Sequence, residues 1–444
     1  MSGDAAGEGS RGTDAETGSA NDSNRLFPNR GERGDDEGAV SRRGLLAGSA
    51  AAGAALAGCS GDGGATETPD AEVADRETVF VFNTGDDTVS VVDVATDEVV
   101  GTTHLGLSAS FPSNQYAPEL TDEAADPLWL NVDSGVRALA VGSLSEVATV
   151  DTGSGLNWQE LTPDGGSLVV SAREPAHTNY LIDADRDSGT FGEVTAQLDR
   201  TEEGGAGDED GPGPCDVTVH PDGEYAYVPD IWGGTLTVLD LGEFEIESQI
   251  DVPAPEGADA AEPWMGTLAP SGDRLLVEHR PGVETVWDTS DPADPEEIAR
   301  LTPEDGLGDG PLTSEVGPDS EVGYVFTPGS EDVTVVDIPA GEVSGRIPLD
   351  GQAFVGTWGP SRETLYVPVQ TNDEVAVIDH GRREIAARLD VGTAPYGATA
   401  ATVQPAVDDS PSIAAAMAAA GLDLSESGTT YCIGNCACGH DPEL

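Results

Sequence analysis

The sequence predicts an all-β protein, a seven-bladed β-propeller, and three regularities in its 444 residues carry this prediction. Seven short apolar runs each end in an aspartate, at Asp93, Asp151, Asp183, Asp240, Asp288, Asp337 and Asp379. Five of these aspartates come 18 to 20 residues after the proline of a Pro-Asp-Gly-like turn, at Pro163, Pro221, Pro270, Pro318 and Pro360. Between these marks, apolar and polar residues alternate as they do in half-buried strands. A fixed spacing inside a unit of about 40 to 60 residues is typical of repeat architectures.

The units at 225–252 and 364–391 show the strand pattern most clearly. Each unit contains an alternating strand, a polar turn, a second strand ending in aspartate, a tight turn and a third alternating strand. A shorter strand precedes each proline turn, as at 215–219. Four strands of this kind make one propeller blade, with the repeated aspartates capping the turns between strands three and four.

The first unit, 79–100, has three strands and no apolar strand ahead of it. Residues 395–399 (PYGAT) match 214–218 (PCDVT), so we expect a C-terminal strand to complete the N-terminal blade. Such closure removes two exposed sheet edges. The count comes to seven blades, although the irregular second blade (136–155) and third blade (167–185) leave six or eight open.

The first 58 residues read as an acidic leader and an export signal. Residues 41–46 (SRRGLL) are a twin-arginine signal, followed by a stretch too short to span a bilayer. The sequence LAGC at 56–59 looks like a lipobox, which predicts acylation of Cys59. We expect export by the twin-arginine route to the outer face of the cell membrane, with a lipid anchor at Cys59.

These signals divide the chain into four predicted segments. Residues 1–58 hold the leader and signal, and 59–76 the acylated cysteine and a flexible linker. The propeller occupies 77–403, and 404–444 form a helical segment with a Cys/His tail. We expect the mature protein to be a monomer.

The net charge of the chain limits the classes of molecule that it can bind favourably. There are 83 acidic and 19 basic residues, all of the latter arginine, giving a net charge of −64. Such charge opposes compaction in dilute buffer, but at molar salt the screening length falls to about 3 Å. The composition resembles that of extremely halophilic archaea. Nucleic acid and anionic membrane surfaces are excluded as favourable partners, whereas metal cations and basic proteins are not.

Residues 80–85 (FVFNTG), 366–371 (YVPVQT) and the repeated Val-x-Val-x-Asp element resemble YVTN-type β-propeller repeats. Residues 286–295 (VWDTSDPADP) resemble the related LVIVP repeat. The resemblance implies a haloarchaeal surface lipoprotein of this group. More distant relatives are the propellers of haem-binding nitrite reductase and of nitrous oxide reductase.

A propeller of this kind predicts a ligand site on the face where loops enter the first strands and join strands two and three. The candidates there are Trp158, His177, Cys215, Trp232, Trp264, Met265, His279, Phe354 and Tyr396. His177 and His279 occupy matching loops two blades apart, near Arg173 and Arg280, and can share a ligand or a metal. The alternative is that the aromatic residues plug the channel.

The C-terminal tail is a second candidate site. Residues 412–424 have helix-forming composition, and the metal ligands predicted after them are Cys432, Cys436, Cys438 and His440. Three thiols and an imidazole suit copper or zinc. Disulfide pairing, including a bridge to Cys215, and free thiols are the alternatives.

No nucleophile elbow, phosphate-binding glycine loop or distinguishable carboxylate pair predicts catalysis, so no catalytic residue is assigned. The first hypothesis is a non-catalytic, lipid-anchored propeller that binds a protein or a small ligand. The second is a copper- or zinc-binding protein that uses the tail, with a link to respiratory redox enzymes. The third is a haem-dependent oxidoreductase with His177 and His279 as axial ligands.

Overall fold

A computed structural model describes residues 74–105, 120–132, 134–207 and 210–407. These residues form 27 strands in seven separate antiparallel sheets, and each sheet is one blade of a β-propeller. The predicted signal, Cys59 and the Cys/His tail lie outside the described residues. Within the described ranges, no helix has the length and apolar character needed to cross a bilayer.

From the central channel outward, the first four blades contain the following strands. Blade 1 consists of β27 (Pro395–Gln404), β1 (Ala74–Asn83), β2 (Thr88–Asp93) and β3 (Glu98–His104). The described part of blade 2 consists of β4 (Pro127–Val132), β5 (Gly135–Ala140) and β6 (Ser145–Asp151). Blade 3 consists of β7 (Asn157–Leu161), β8 (Ser167–Ala172), β9 (Thr178–Asp183) and β10 (Val194–Asp199). Blade 4 consists of β11 (Thr218–Val219), β12 (Tyr225–Asp230), β13 (Thr235–Asp240) and β14 (Glu245–Asp251).

The remaining three blades follow the same order. Blade 5 consists of β15 (Pro263–Leu268), β16 (Arg274–His279), β17 (Val283–Asp288) and β18 (Glu296–Leu301). Blade 6 consists of β19 (Ser314–Val316), β20 (Val322–Thr327), β21 (Asp332–Asp337) and β22 (Glu342–Pro348). Blade 7 consists of β23 (Thr357–Trp358), β24 (Thr364–Val369), β25 (Glu374–Asp379) and β26 (Glu384–Asp390). Short 3-10 helices occur at Thr201–Glu203, Pro303–Asp305, Pro328–Ser330 and Gln370–Asn372.

The ring closes as the sequence predicts. Strand β27 pairs antiparallel with β1, and Phe80 lies opposite Thr399 on one side and Val91 on the other. The backbone N–H of Thr84 donates to the carbonyl of Ala394, which extends the pairing past the strand end. The last described strand is therefore the innermost strand of the first blade, and the described residues form seven sheets.

The repeated aspartates cap turns, as expected, with one correction to their position. Six of the seven end the third strand of a blade, and their carboxylates accept backbone N–H bonds from the following turn, as Asp240 does from Gly242. Asp151 instead ends β6, the outermost strand of blade 2, whose side chains are mostly exposed. The predicted start of blade 2 at residue 136 was wrong, because the fully buried strand β4 precedes it without a proline turn.

The hydrophobic core is divided among the seams between neighbouring blades. Second and third strands are largely buried on both faces, whereas outermost strands such as β14 alternate between exposed and half-buried. A cluster of buried apolar side chains fills each seam, including the closing seam, where Val79 and Ala400 of blade 1 meet Val375 of blade 7. Burial of these side chains contributes about 1.5–3 kcal/mol each.

The antiparallel order puts two kinds of loop on opposite faces of the ring. The loops that join second and third strands, together with the segments that lead into the innermost strands, lie on what we call the top face. The proline turns after the innermost strands lie on the bottom face. The top face is therefore the one that carries the predicted ligand residues.

Candidate functional site

The nine predicted ligand residues all lie at the top-face ends of the blades or on innermost strands. Innermost strands carry Trp158, Trp264, Met265 and Tyr396, and the segments leading into them carry Cys215 and Phe354. His177, Trp232 and His279 lie in, or directly before, the loops that join second and third strands. All are buried except Trp232, which is half-buried. Ligand binding by this set stays a prediction.

Two of the aromatic residues pack together across the closing seam. The rings of Phe354 (blade 7) and Tyr396 (blade 1) are stacked with centroids 5.3 Å apart. Both side chains are nearly inaccessible to solvent. This contact ties the innermost strands of the last and first blades to each other.

The two histidines are held separately. His177 Nδ1 accepts the backbone N–H of Gly213 at 3.2 Å. His279 Nδ1 lies 3.2 Å from the carbonyl of Ala261, and its Nε2 lies 2.9 Å from Thr285 Oγ1. Burial lowers the pKa of His279 to about 4, so this ring is neutral near pH 7. The two rings thus have separate hydrogen-bond partners, and a metal or haem shared between them stays a prediction.

Four side chains from three blades meet on the top face, and we call them the top-face cluster: Arg173, Glu174, Trp232 and Arg280. Arg173 forms a two-pronged ion pair with Glu174, with Nε–Oε2 at 2.5 Å and Nη2–Oε1 at 2.8 Å. The Trp232 indole N–H donates to Glu174 Oε2 at 3.5 Å, and the Arg280 guanidinium lies 5.9 Å from the Trp232 ring centroid. The cluster therefore presents an aromatic ring between a carboxylate and a cation.

The charges of the top-face cluster are fixed by its ion pair. Burial raises the pKa of Glu174, but the charge and hydrogen bonds of Arg173 outweigh it and leave the pKa lowered. The Glu174 side chain remains 32% exposed, whereas that of Arg173 is 4% exposed. Arg173 also points Nη1 at the sulfur of Cys215, at 3.5 Å. Glu174 is thus an ionised acceptor open to solvent, held by a buried arginine.

The loop that carries Trp232 packs closely against Gly213. A Cβ added to Gly213 would lie 2.3 Å from the Trp232 ring, and Gly213 has φ of +68°, so glycine is required at this position. The same residue donates its N–H to His177. Gly213 therefore packs directly against Trp232, and His177 holds Gly213 in place through its hydrogen bond.

A buried ion pair anchors the same loop on its other side. Arg200, at the end of β10, bonds both oxygens of Asp230 at 2.7 and 2.8 Å, and neither side chain is exposed. Arg200 Nε also pairs with Glu203 at 2.9 Å. Asp230 ends β12, directly before the Trp232 loop, so the pair fixes blade 3 to blade 4 at the base of the top-face cluster.

Innermost strands carry a ring of threonine and glutamate. The residue three positions before each turn proline is, in chain order, Glu160, Thr218, Thr267, Glu315 and Thr357. Glu160 Oε2 accepts the N–H of Val219 on the next blade at 2.9 Å, and Asp216 accepts the N–H of Gly266 at 3.0 Å. Side-chain carboxylates thus satisfy backbone donors on the free inner edges of neighbouring sheets.

Glu315 differs from Glu160 at the equivalent position. Burial raises the pKa of Glu315 well above its usual 4.5, helped by the charges of Glu160 and Glu278 and opposed by Arg362 and Trp358. Among the described residues, neither of its carboxyl oxygens has a hydrogen-bond partner of ordinary geometry. Burial also raises the pKa of Glu160, to about 8, and the hydrogen bond that Glu160 accepts from Val219 opposes this rise.

A second pair of buried acids lies in the seam between blades 5 and 6. Glu278 on β16 is directly opposite Glu284 on β17, and both side chains are completely buried. Burial raises the pKa of Glu278 to about 8, and burial together with the charge of Glu278 raises the pKa of Glu284 well above its usual 4.5. Sequence reasoning missed all of these acids because 83 acidic residues hide any spacing. Comparison of equivalent positions between repeats would have found them.

In the described part of the chain, no three histidine, cysteine, aspartate or glutamate side chains form a metal-binding group. Cys215, which the structure does describe, is buried. The predicted ligands Cys432, Cys436, Cys438 and His440 lie outside the described residues, so copper or zinc binding there stays a prediction.

No protein-family model matches this chain, and no curated protein matches it in sequence. Solved structures do match it. A periplasmic gluconolactonase from Pseudomonas aeruginosa is 16% identical with a TM-score of 0.58, covering 73% of this chain and 99% of that one. A putative 6-phosphogluconolactonase from Bacteroides uniformis is 14% identical with a TM-score of 0.57, covering 74% and 100%. A functionally unknown protein from Desulfotomaculum acetoxidans is 12% identical with a TM-score of 0.57, covering 74% and 99%.

At these identities the likeness concerns the fold alone. The resemblance to YVTN-type repeats, the haloarchaeal origin and the lipid anchor stay predictions. The chain is a seven-bladed β-propeller whose structural neighbours include propellers of the 6-phosphogluconolactonase type.

Proposed function

We propose that this protein is a non-catalytic, lipid-anchored β-propeller on the outer face of the cell membrane, and that it binds a small hydroxylated anion through the top-face cluster. The twin-arginine signal and the lipobox at Cys59 support the location. The observation that carries the binding role is the junction of Glu174, Trp232 and Arg280 from three successive blades.

The chemistry of the cluster suits a sugar acid. The half-buried Trp232 ring offers a flat apolar surface for stacking, and the solvent-open Glu174 carboxylate accepts hydrogen bonds from hydroxyl groups. Arg280 supplies positive charge next to the ring in a chain that has only 19 basic residues. A carboxylate on the ligand would be attracted here and repelled by most of the remaining surface.

We base the proposed absence of catalysis on the protonation and hydrogen bonding of the ionisable side chains in and near the top-face cluster. Glu174 is paired with Arg173 and its pKa is lowered, which makes it a weak general base. His279 is enclosed, and the Nδ1 atom of His177 already accepts a backbone bond. Among the described groups of the cluster, none combines a nucleophile with a base poised near neutral pH.

Calorimetric titration of gluconate into the protein in molar KCl tests the binding role. We expect measurable binding that weakens at least about tenfold in both W232A and R280Q, because each removes one wall of the site. R382Q is the matched control, since it also removes one arginine, but Arg382 is a largely exposed residue in the loop after β25. Equal binding by W232A, R280Q and R382Q would show that the top-face cluster is not the site.

The lactonase neighbours supply the test of the non-catalytic role. Glucono-1,5-lactone hydrolysis, followed by proton release, is expected to proceed at the rate of the buffer alone. A rate well above buffer that is lost in E174Q would make the protein an enzyme and overturn this part of the proposal.

A second candidate function is metal capture by the Cys/His tail. The donors predicted there, three thiols and an imidazole within nine residues, suit copper and zinc. Elemental analysis of protein purified under reducing conditions should find copper or zinc in the native chain and none in C432S/C436S. Less than about a tenth of an equivalent in the native chain would remove this candidate.

A further inference from the structure

The acids of the blade 5–6 seam occupy positions that other blades fill with apolar residues. In each repeat that has a turn proline, the residue eight positions after this proline lies directly opposite the residue four positions before the closing aspartate. In three blades both residues are apolar: Pro229 with Leu236, Phe326 with Val333 and Pro368 with Val375. Blade 3 holds a polar pair, in which Asn179 donates to Ser171 at 2.8 Å. Blade 5 alone among these five places two carboxyls there, Glu278 and Glu284.

The facing residue on the next blade changes with the pair. Pro229 and Phe326 each face a glycine on, or directly before, the adjoining innermost strand. A Cβ added to Gly266 would lie 3.6 Å from Pro229 Cγ, and one added to Gly356 would lie 2.8 Å from Phe326 Cζ. The equivalent residue facing Glu278 is Ser314, four positions before its turn proline. Its hydroxyl is near enough to Glu278 to oppose the rise in that group's pKa. Where the two glutamates lie, the facing residue is therefore a serine with a hydroxyl group, whereas Pro229 and Phe326 each face a glycine.

The three side chains form an oxygen-lined site, and among the described residues no cationic side chain acts on its two acids. Glu278, Glu284 and Ser314 are at most 1% exposed. Among the described residues, none of the four carboxyl oxygens nor the serine hydroxyl has a hydrogen-bond partner of ordinary geometry. Like charges directly opposite on neighbouring strands repel, and a buried carboxylate without a partner is strongly disfavoured. A positive charge placed between the carboxyls removes both costs.

We propose that Glu278 and Glu284, together with the Ser314 hydroxyl, bind one calcium ion in the seam between blades 5 and 6. A doubly charged ion neutralises both carboxylates, which a monovalent ion does not. Four carboxylate oxygens and one hydroxyl supply five of the roughly six to eight oxygen ligands that calcium takes, and water supplies the rest. All of these donors are hard oxygens, so the site disfavours zinc and copper.

The position of Glu278 and Glu284 allows an ion to enter from the top face and to connect blade 5 to blade 6. Glu278 is the last residue but one of β16, and Glu284 is the second of β17, so both lie beside the top-face loop that joins these strands. An ion there connects two strands of blade 5 to the innermost strand of blade 6. A proton shared by the two carboxyls is the competing explanation, and the response of the unfolding midpoint to pH and to calcium separates the two.

The test is calcium binding and thermal unfolding of the full protein in molar KCl after treatment with a chelator. The native chain should bind one calcium ion, and millimolar calcium should raise its unfolding midpoint by roughly 5 °C at constant ionic strength. Both effects should be lost in E278Q/E284Q. They should also be lost in E278P/E284V, which copies the pair that blade 7 already carries and keeps the variant foldable.

The matched control is E245Q/E247Q, which removes two acids from the exposed face of β14 and should bind calcium as the native chain does. Calcium bound equally by the native chain and by E278P/E284V would place the ion elsewhere and overturn the proposal. A midpoint that ignores calcium but falls with rising pH, with the fall lost in E278Q/E284Q, would show that the pair holds protons instead. Absence of any bound calcium in the native chain would likewise overturn it.

Discussion

At the scale of single residues, the innermost strands contain one glutamate carboxyl that accepts a backbone hydrogen bond and one that accepts none from the described residues. Glu160 and Glu315 occupy the same repeat position, but only Glu160 has a backbone N–H to accept from the next blade. Thr218, Thr267 and Thr357 fill the position in three other blades and are buried. The hydroxyl of threonine can donate to the next blade, as that of Thr267 does to the carbonyl of Ser314 at 2.9 Å.

Replacement of Glu315 by threonine should therefore stabilise the protein. We expect E315T to raise the free energy of unfolding by about 1–3 kcal/mol at pH 7, because it removes a buried carboxyl whose oxygens accept no hydrogen bond of ordinary geometry from the described residues. Denaturant unfolding in molar salt measures this change. E315Q is the control for size: it removes the charge but keeps buried polar atoms, and it should gain less. A destabilised E315T would indicate that the carboxyl has a stabilising role in the native protein.

The pH dependence of the same variant has a defined sign. The raised pKa of Glu315 means that the folded chain keeps a proton that the unfolded chain loses above about pH 4.5, so native stability falls as pH rises from there. E315T lacks this group, and its stability advantage should grow between about pH 5 and pH 8. Unfolding free energies of both proteins across that range, at fixed salt, measure it. A constant difference would mean that Glu315 is ionised throughout.

At the scale of elements, blades are joined by more than apolar packing. The pair of Arg200 and Asp230 connects the outermost strand of blade 3 to the second strand of blade 4 without solvent access. Thr235 and Thr237 complete the shell of Asp230 by donating to its Oδ2 at 2.8 and 2.5 Å. The sequence did not reveal this pair because its members lie 30 residues apart in different repeats.

Breaking this pair should cost much more than breaking a surface pair. We expect R200Q to lower the free energy of unfolding by about 3–5 kcal/mol, since the carboxylate of Asp230 would stay buried without its cation. R137Q is the matched control: Arg137 pairs with Glu146 at 2.9 Å, with side chains 30% and 49% exposed, and should cost less than about 1 kcal/mol. Equal losses from the two variants would mean that burial does not strengthen the inner pair.

At the scale of the whole molecule, closure of the ring depends on one strand. The strand β27 gives blade 1 its innermost member and packs its alanines against Val375 and Val377 of blade 7. Without it, β1 would expose a free edge and the seam between the last and first blades would open.

A chain shortened to end before Pro395 should therefore fail to fold into a soluble monomer. A chain that ends after Val407 keeps β27 and should unfold at the native midpoint. Size-exclusion chromatography and circular dichroism in molar salt distinguish the two. A cooperative, monomeric product from the shorter chain would show that six complete blades and an open edge suffice.

The net charge of −64 also acts on the whole molecule. Lowering KCl from molar to millimolar concentration lengthens electrostatic screening from about 3 Å to about 30 Å or more, so the carboxylates repel each other across the surface. We expect the unfolding midpoint to fall steeply on dialysis. A midpoint unchanged at millimolar salt would contradict the interpretation of the acidic surface as one that requires salt.

The sequence by itself determined the β-propeller and the strand that closes the ring, because strand alternation and turn spacing are local and are repeated in most units. It counted seven blades but left six or eight open, and the structure decided for seven. The sequence also located the residues that reach the top face, including Trp232. Only the tertiary structure decided that His177 and His279 serve separate surroundings, that Arg200 reaches Asp230, and that Glu278 faces Glu284 and Ser314. These contacts cross strands or seams between blades, and in a chain with 83 acids no local pattern distinguishes a carboxyl that will be buried from one that stays in water.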